Sequence, residues 1–322
     1  MTPADLASGF RGTAVLAIGD LMLDEYVWGA ARRISPEAPV LVVEIERRTY
    51  VPGGAANAAA GVAALTGEAL LVGVVGDDER GEMLRQTIEA AGVRTGGCLV
   101  DTARPTTTKT RVVANGQQVV RTDVEIREPL TTKLEDELID WIERHLDEVQ
   151  ALMLSDYGKG VVSPRLAQSV IELARRAQKP IVVDPKGTDY AKYRGATVVT
   201  PNVLEIERAT NLEVERPEDL PRVAERLRTA LGDSALLVTR GPEGMSLFAG
   251  TEAPVDIPAE AQNVFDVTGA GDAVVGTLAL ALAQGAALED AARLANRAAG
   301  IVVGKIGTAT VTLEELREQL GG

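Results

Sequence analysis

The sequence predicts a three-layer α/β fold with a mostly parallel central sheet, and three observations carry that expectation. Short, continuously apolar, β-rich runs alternate with helical patterns along most of the chain. Those runs lack the in/out polarity of a sheet wetted on one face, so they read as parallel strands covered on both sides. Polar residues then collect at the carboxyl ends of the runs, as Asp20, Asp77, Asp156, Asp184, Asn202 and Arg240, where open α/β sheets form their ligand crevice.

In chain order, "AVLAIGD" (14–20) reads as a strand and "NAAAGVAALTG" (57–67) as a helix. "ALLVGVVGDD" (69–78) and "GEMLRQTIEAAGV" (81–93) repeat that pair. "LEDELIDWIERHLDEV" (134–149) is an acidic amphipathic helix with Leu134, Leu138, Trp141 and Ile142 on one stripe, and the single histidine, His145, beside it. One histidine on a helix surface gives nucleophilic triad chemistry little support. Then follow a strand at 151–158, a helix at 164–180, strands at 181–187 and 196–202, and an apolar helix beginning near residue 270. Two segments break the alternation. "APVLVVEIERRTYV" (38–51) and "TTTKTRVVANGQQVVRTDVE" (106–125) have no helix inside them, and Asn115-Gly116 is a strong two-residue hairpin signal. They predict a small antiparallel sheet beside the main one, which reads either as a lid over the crevice or as a decorated edge.

The 322 residues carry 33 basic and 47 acidic side chains, a formal charge of −14, which repels nucleic acid and anionic membrane. The lone Cys98 excludes an intramolecular disulfide and a cysteine metal cluster, so a reducing cytoplasm is the expected compartment. The start "MTPADLASGFRG" shows no signal-peptide pattern, and the longest apolar run, 273–283, is shorter than the ~20 residues of a membrane span.

The chemistry concentrates at "FDVTGAGDAV" (265–274). The amides of Gly269, Ala270, Gly271 and Asp272 fall among the unpaired donors of a helix N-terminus, bare enough to receive an anion such as a transferring phosphoryl group. Asp272 would then face a substrate hydroxyl as general base. By itself the stretch reads equally as a flexible helix start with an acidic first turn. "GIVVGKIGT" (300–308) is not a Walker A loop, because only three residues separate Gly300 from Gly304 and Ile306 stands at the Ser/Thr position; no G-x-G-x-x-G is present either.

"DVTGAGD" together with "PGGAANAAAGVAALTG" resembles the two signature regions of the ribokinase-like (PfkB) carbohydrate kinases, and the resemblance covers nearly the whole chain. "GDLMLDEYVWG", "RISPEAPV", "RPTTTKTRV", "LSDYGKG", "DPKGTDYAKYRGAT" and "AAGIVVGKIGTATV" are similar, within that family, to the kinases that phosphorylate heptose 7-phosphate at its anomeric oxygen. The resemblance implies one ribokinase-like kinase domain over 1–322 with lid segments at about 38–51 and 106–125, using ATP and Mg²⁺. It implies that Asp24, Asn57, Gly53 and Gly54 bind sugar hydroxyls. It also implies that Asn202 and Glu205, in "TPNVLE" with Val203 and Leu204, position the magnesium through water beside the ATP phosphates. Thr239, Gly241 and Gly244 would run along the nucleotide, and Asn296 with the 300–308 loop would flank the adenine. Asp266 and Thr268 resemble positions around a monovalent cation site, K⁺ in kind. The family is often fused to a nucleotidyltransferase domain, and with the chain stopping at "TLEELREQLGG" only the kinase is expected here.

A sugar that already carries a phosphate needs local cations. Arg33, Lys109, Arg111, Arg121 and Lys186 are candidates, with Lys186 in "DPKG" best placed at a strand end. A two-residue turn pairs position i with 231 minus i, which puts Arg111 and Arg121 on opposite faces of the hairpin unless a bulge intervenes. The lid segments carry valines on both alternating faces, so a homodimer through paired lids is expected. A kinase for a fructose or tagatose phosphate, or a sugar or nucleotide sensor without turnover, are the alternatives.

Overall fold

Seven strands that all point their carboxyl ends the same way give the molecule its crevice. The computed structural model describes residues 2–66, 68–260, 264–305 and 309–321. In chain order its strands are β1 (Val15–Gly19), β2 (Leu21–Ile34), β3 (Leu41–Gly54), β4 (Ala69–Gly76), β5 (Val93–Asp101), β6 (Thr108–Ala114), β7 (Gln117–Val124), β8 (Ala151–Ser155), β9 (Ile181–Asp184), β10 (Val198–Val199), β11 (Ala235–Thr239), β12 (Met245–Phe248) and β13 (Val255–Ile257). The helices are α1 (Pro3–Gly9), α2 (Ala55–Thr66), α3 (Glu79–Ala90), α4 (Thr132–His145), α5 (Pro164–Arg176), α6 (Val203–Thr210), α7 (Leu220–Leu231), α8 (Ala270–Ala283), α9 (Leu288–Val302) and α10 (Leu313–Gln319).

Nine strands form the main sheet in the order β13-β12-β11-β10-β9-β8-β1-β4-β5, parallel from β11 to β5 and antiparallel at β12. Alternate residues of each strand feed different cores: Val15 and Ala17 of β1 join one, Leu16 and Ile18 the other. The first core is closed by α1, α2, α3, α8, α9 and α10, the second by α4, α5, α6 and α7. Each fully buried Leu, Ile or Val contributes about 1.5–3 kcal/mol of transfer free energy, which is why the strands are apolar on both faces. The three layers match the expectation. His145 stacks on Trp141, one turn earlier in α4.

The second sheet has the order β3-β2-β6-β7 and is mixed rather than wholly antiparallel as expected, because β2 and β6 run parallel. The two expected segments become β3 and the β6–β7 hairpin, and the structure adds β2, which leaves β1 with only Asp20 between them. Asn115 and Gly116 both adopt positive φ, as a two-residue hairpin turn requires. The register then shifts between Val112 and Val113: Val113 pairs with Gln118, but Val112 pairs with Val120 and Arg111 with Arg121. A bulge at Val119 therefore intervenes, and the uninterrupted register does not hold. Arg111 and Arg121 are direct cross-strand partners on one face.

This lid sheet is fastened to the body where it leaves it. Glu25 of β2, 1% exposed, pairs with Arg48 of β3 at 2.6 Å and with Arg80 of α3 at 3.2 Å, and accepts from Thr110 of β6 at 2.8 Å. Burial opposes its charge, yet the hydrogen bonds from Thr110 and Arg48 and the nearby arginines hold its carboxyl below the usual range.

Candidate active site

The site is built on α8. Its N-cap, Gly269, sits at φ +84, a left-handed conformation that favours glycine, and a Cβ on Gly271 would meet nothing within 4 Å. Gly271 is therefore exposed at the positive end of a 14-residue helix, whereas the Ala270 amide, expected to be unpaired, donates to the Val267 carbonyl at 3.3 Å. Asp272 follows in the same turn and is buried. Asn57, in the first turn of α2, donates to its Oδ2 at 2.5 Å, and the Tyr157 hydroxyl donates to its Oδ1 at 2.8 Å. Burial pushes the Asp272 carboxyl up to about 6; those two hydrogen bonds pull against the rise and the charge of Asp24 adds to it. A carboxylate poised near neutrality beside an anion-receptive helix end can take a proton from a hydroxyl while the helix stabilises the charge on the group that hydroxyl attacks.

The N-terminal signature packs against Asp272. Gly54 has φ +60, and a Cβ on Gly53 would lie 2.7 Å from Asp24 Oδ2. Both glycines are needed for β3 to pass this close to β2. Asp24 pairs with Arg111 Nη1 at 2.5 Å, and Arg111 also lies over the Tyr26 ring at 5.3 Å. The registers put Asp24, Tyr26, Lys109, Arg111, Arg121 and Asp123 on one face of the lid, the face carrying Asp24 toward Asp272. Lys109 and Arg121 both bond Asp123. Arg33, near the far end of β2, is exposed.

Lys186 does not join this group. Its Nζ donates to Glu205 Oε1 at 2.7 Å, at the start of α6. Asn202 and Glu205 form a capping box at the start of α6: Asn202 accepts from the Glu205 amide at 2.9 Å, and Glu205 Oε2 accepts from the Asn202 amide at 3.0 Å. The N-x-x-E element is thus also a helix cap, and Leu204 beside it is exposed. Thr239 pairs with Asn202 across the ends of β11 and the segment after β10. Gly241 and Gly244 shape the turn beyond, with Val203 facing the same loop region. Asn296 is buried in α9 and donates to the Pro258 carbonyl at 2.8 Å, so its amide ties α9 to the end of β13. Asp266 Oδ1 accepts from the Thr268 amide at 2.9 Å. Of the 300–308 loop, Ile306, Gly307 and Thr308 lie outside the described residues.

Three residues outside the expected site prove close to it. Tyr157 touches Asp272 directly. Asp20 accepts from the amides of Tyr157, Lys159 and Val161. Asp184, at the end of β9, has its carboxyl pushed well above the usual range by burial and by the charges of Asp272 and Glu205. Asp20 and Asp184 were legible as polar strand ends; nothing in "LSDYGKG" marks a tyrosine aimed at a carboxylate. Among the described residues no three His, Cys, Asp or Glu side chains form a ready-made metal cage. Asp184 and Glu205 nevertheless offer hard oxygen donors in a region of excess negative charge, which fits Mg²⁺ that keeps most of its water.

Comparison with known proteins agrees with this fold. The model of the pfkB family carbohydrate kinases matches residues 13–316. The chain is 48% identical over 306 residues to the bifunctional protein HldE of Geobacter sulfurreducens, covering 95% of this chain and 62% of that protein. It is 48% identical over 316 residues to HldE of Caulobacter sp. (strain K31), covering 98% and 64%. It thus spans a little under two thirds of the length of these relatives. Among solved structures, phosphofructokinase-2 from Escherichia coli in complex with potassium superposes with a TM-score of 0.77 at 21% identity, covering 97% of this chain and 98% of that one. Arabidopsis thaliana ribokinase complexed with ribose and ATP gives 0.74 at 20% identity, covering 96% and 98%. At those identities the likeness concerns the fold.

Proposed function

Because this chain belongs to the pfkB family of carbohydrate kinases, we propose that it transfers the γ-phosphoryl group of ATP to the anomeric hydroxyl of D-glycero-D-manno-heptose 7-phosphate. The observation that carries the reading is the buried Asp272 carboxylate, held by Asn57 and Tyr157 at a bare helix N-terminus and faced by an arginine-bearing lid. Asp272 removes the hydroxyl proton as the sugar oxygen bonds to the γ-phosphorus and the bond from that phosphorus to the β-bridging oxygen breaks, releasing ADP. The amides of Gly269 and Gly271 and the positive end of α8 stabilise the charge on the group in transit, the Ala270 amide being paired with the Val267 carbonyl. Asp24 and the Gly53-Gly54 backbone orient the sugar. Asn202 and Glu205, with Asp184, would hold a hydrated magnesium, whose charge would neutralise that of the phosphates.

The lid supports a sugar that already bears a phosphate, because Arg111, Arg121 and Lys109 share its site face. Lys186 is reassigned: its pairing with Glu205 supports a role at the ATP phosphates rather than at the 7-phosphate. Thr239, Gly241 and Gly244 border the nucleotide, Asn296 supports the adenine end from behind, and Asp266 with Thr268 belongs to a K⁺ site. The opposite face of the lid carries exposed Val120 and Val124, together with Ile34, Val40, Leu41 and Ile45 on the neighbouring strands and turn, which supports a homodimer through paired lids. Steady-state ADP release with heptose 7-phosphate, set beside fructose and tagatose phosphates, tests the substrate. A higher kcat/KM on either of the latter replaces it.

A further inference from the structure

The groups around Asp272 come from every element that packs on the crevice: Asp24 from β2, Asn57 from α2, Tyr157 after β8, Asp184 at the end of β9, and the Lys186–Glu205 pair beyond it. Of these, Tyr157 alone is a neutral hydroxyl donor to the base. Burial and the charges of Asp272 and Asp184 push its own ionisation well above the usual tyrosine range, so it keeps its proton and donates it in a hydrogen bond.

The loop that carries Tyr157 is fixed with unusual care. Asp20, 1% exposed, receives three backbone amides from it: Tyr157 at 2.7 Å, Lys159 at 3.1 Å and Val161 at 3.1 Å. Three N–H donors on one carboxylate define where the loop sits relative to β1. The loop is gripped elsewhere too, because Arg104 donates to the Lys159 carbonyl at 3.2 Å and Lys159 Nζ pairs with Glu125, just past β7, at 2.5 Å. A tyrosine on a free loop would present its hydroxyl to Asp272 only part of the time; one anchored at three consecutive odd-numbered amides presents it continuously.

We infer that Tyr157 is a positioning residue for the phosphoryl-transfer base, holding Oδ1 of Asp272 while Asn57 holds Oδ2, so that the carboxylate is fixed with a remaining lone pair of Oδ2 addressing the sugar hydroxyl, and that Asp20 is the anchor that keeps Tyr157 there. This rests on the reading of Asp272 as the base. A hydrogen bond to the ionised carboxylate also favours the ionised form, so its loss leaves the base both less well aimed and harder to ionise.

The test is Tyr157→Phe in the intact chain, with the pH dependence of kcat/KM for heptose 7-phosphate as the readout. The acid limb, set near pH 6 by Asp272, should move upward by about one unit, and plateau kcat should fall about tenfold with KM for ATP changed less than about twofold. Asp20→Asn should move the acid limb in the same direction, since one of the two oxygens that receive the three loop amides becomes an NH2 donor, and should also lower Tm. Should Asp20→Asn fail to fold, Tyr157→Phe decides alone. An unmoved acid limb with kcat within about twofold of the parent overturns the role of Tyr157. Asp272→Asn is measured alongside: loss of turnover there with an unmoved Tyr157→Phe profile sinks this inference only, whereas retained turnover in Asp272→Asn takes the underlying reading down with it.

Discussion

The main sheet and the lid sheet solve opposite problems with the same β-rich residue types. In the body, β1, β4 and β8 are buried at every position and their polar groups wait until the strand has ended. In the lid, polar and charged groups sit within the strands. β2 carries Asp24 and Glu25 side by side, each buried and each satisfied by arginine, while β7 is exposed along its whole length. Seven of the twelve large apolar side chains found exposed among the described residues lie in the lid or its β2–β3 turn. The body fixes Asp272 and the N-terminus of α8 by apolar packing, and the lid carries charge on one face and exposed apolar surface on the other.

That division can be broken most sharply in the body. Asp272→Asn keeps the volume and the α8 N-terminus, so turnover should fall by about two to four orders of magnitude while ATP affinity, followed by calorimetry, is preserved. If most of the turnover survives, the crevice end of α8 is not where the proton goes. In the parent enzyme kcat/KM should decline below about pH 6, because the base, raised to about 6, must be ionised to act.

The lid comes next in size. Arg111→Ala should raise KM for the phosphorylated sugar by roughly tenfold to a hundredfold, the scale of a lost charged hydrogen bond, and leave KM for ATP alone. Lys186→Ala should do the reverse. Equal losses on both substrates in either variant would mean that Arg111 and Lys186 are not divided between sugar and nucleotide as the pairings with Asp24 and Glu205 indicate.

The partner-facing side is tested by Val120→Asp combined with Val124→Lys, residues that share a lid face in the bulged register. Sedimentation should show the parent as a dimer and the variant as a monomer at about micromolar concentration, because isolated charges are costly to bury at an apolar contact. A parent that is already monomeric removes the dimer from consideration. Smallest is the fastening at Glu25. Glu25→Gln should lower stability by about 1–3 kcal/mol, enough to move Tm by several degrees. Since the folded-state ionisation of Glu25 is depressed, its contribution is fully present above the ordinary glutamate range and is lost as pH falls through the lower folded value. The gap between parent and variant should therefore narrow in acid.

The contrast also explains what could be read from the chain. Body strands announce themselves because burial on both faces demands uninterrupted Val, Leu and Ile, and Asp272 and Asn57 stand out because glycines and alanines strip the backbone around them. β2 was missed because one residue separates it from β1 and because "DEY" in its middle resembles a loop. Only the arginines brought from β3, α3 and β6 make those carboxylates tolerable inside a sheet. Lys186 looked right for the sugar from its strand-end address; that it reaches toward Glu205 is a matter of side-chain direction. The register of the β6–β7 hairpin depended on an extra residue whose position among Gln117, Gln118, Val119 and Val120 no local propensity specifies.

That extra residue makes the hairpin sensitive to parity. Losing the bulged Val119 would leave Val112 opposite Val120 and Arg111 opposite Arg121 in a regular ladder, whereas one further residue gained before Val120 and not absorbed by the bulge would exchange the two sides of β7 from Val120 onward. Arg121 and Asp123 would then leave the face that carries Asp24, and Val120, Thr122 and Val124 would join it. Among homologous kinases a gain of one residue in this short stretch is therefore expected to accompany altered specificity, and loss of the bulged residue is not, a distinction visible in an alignment without any structure at all.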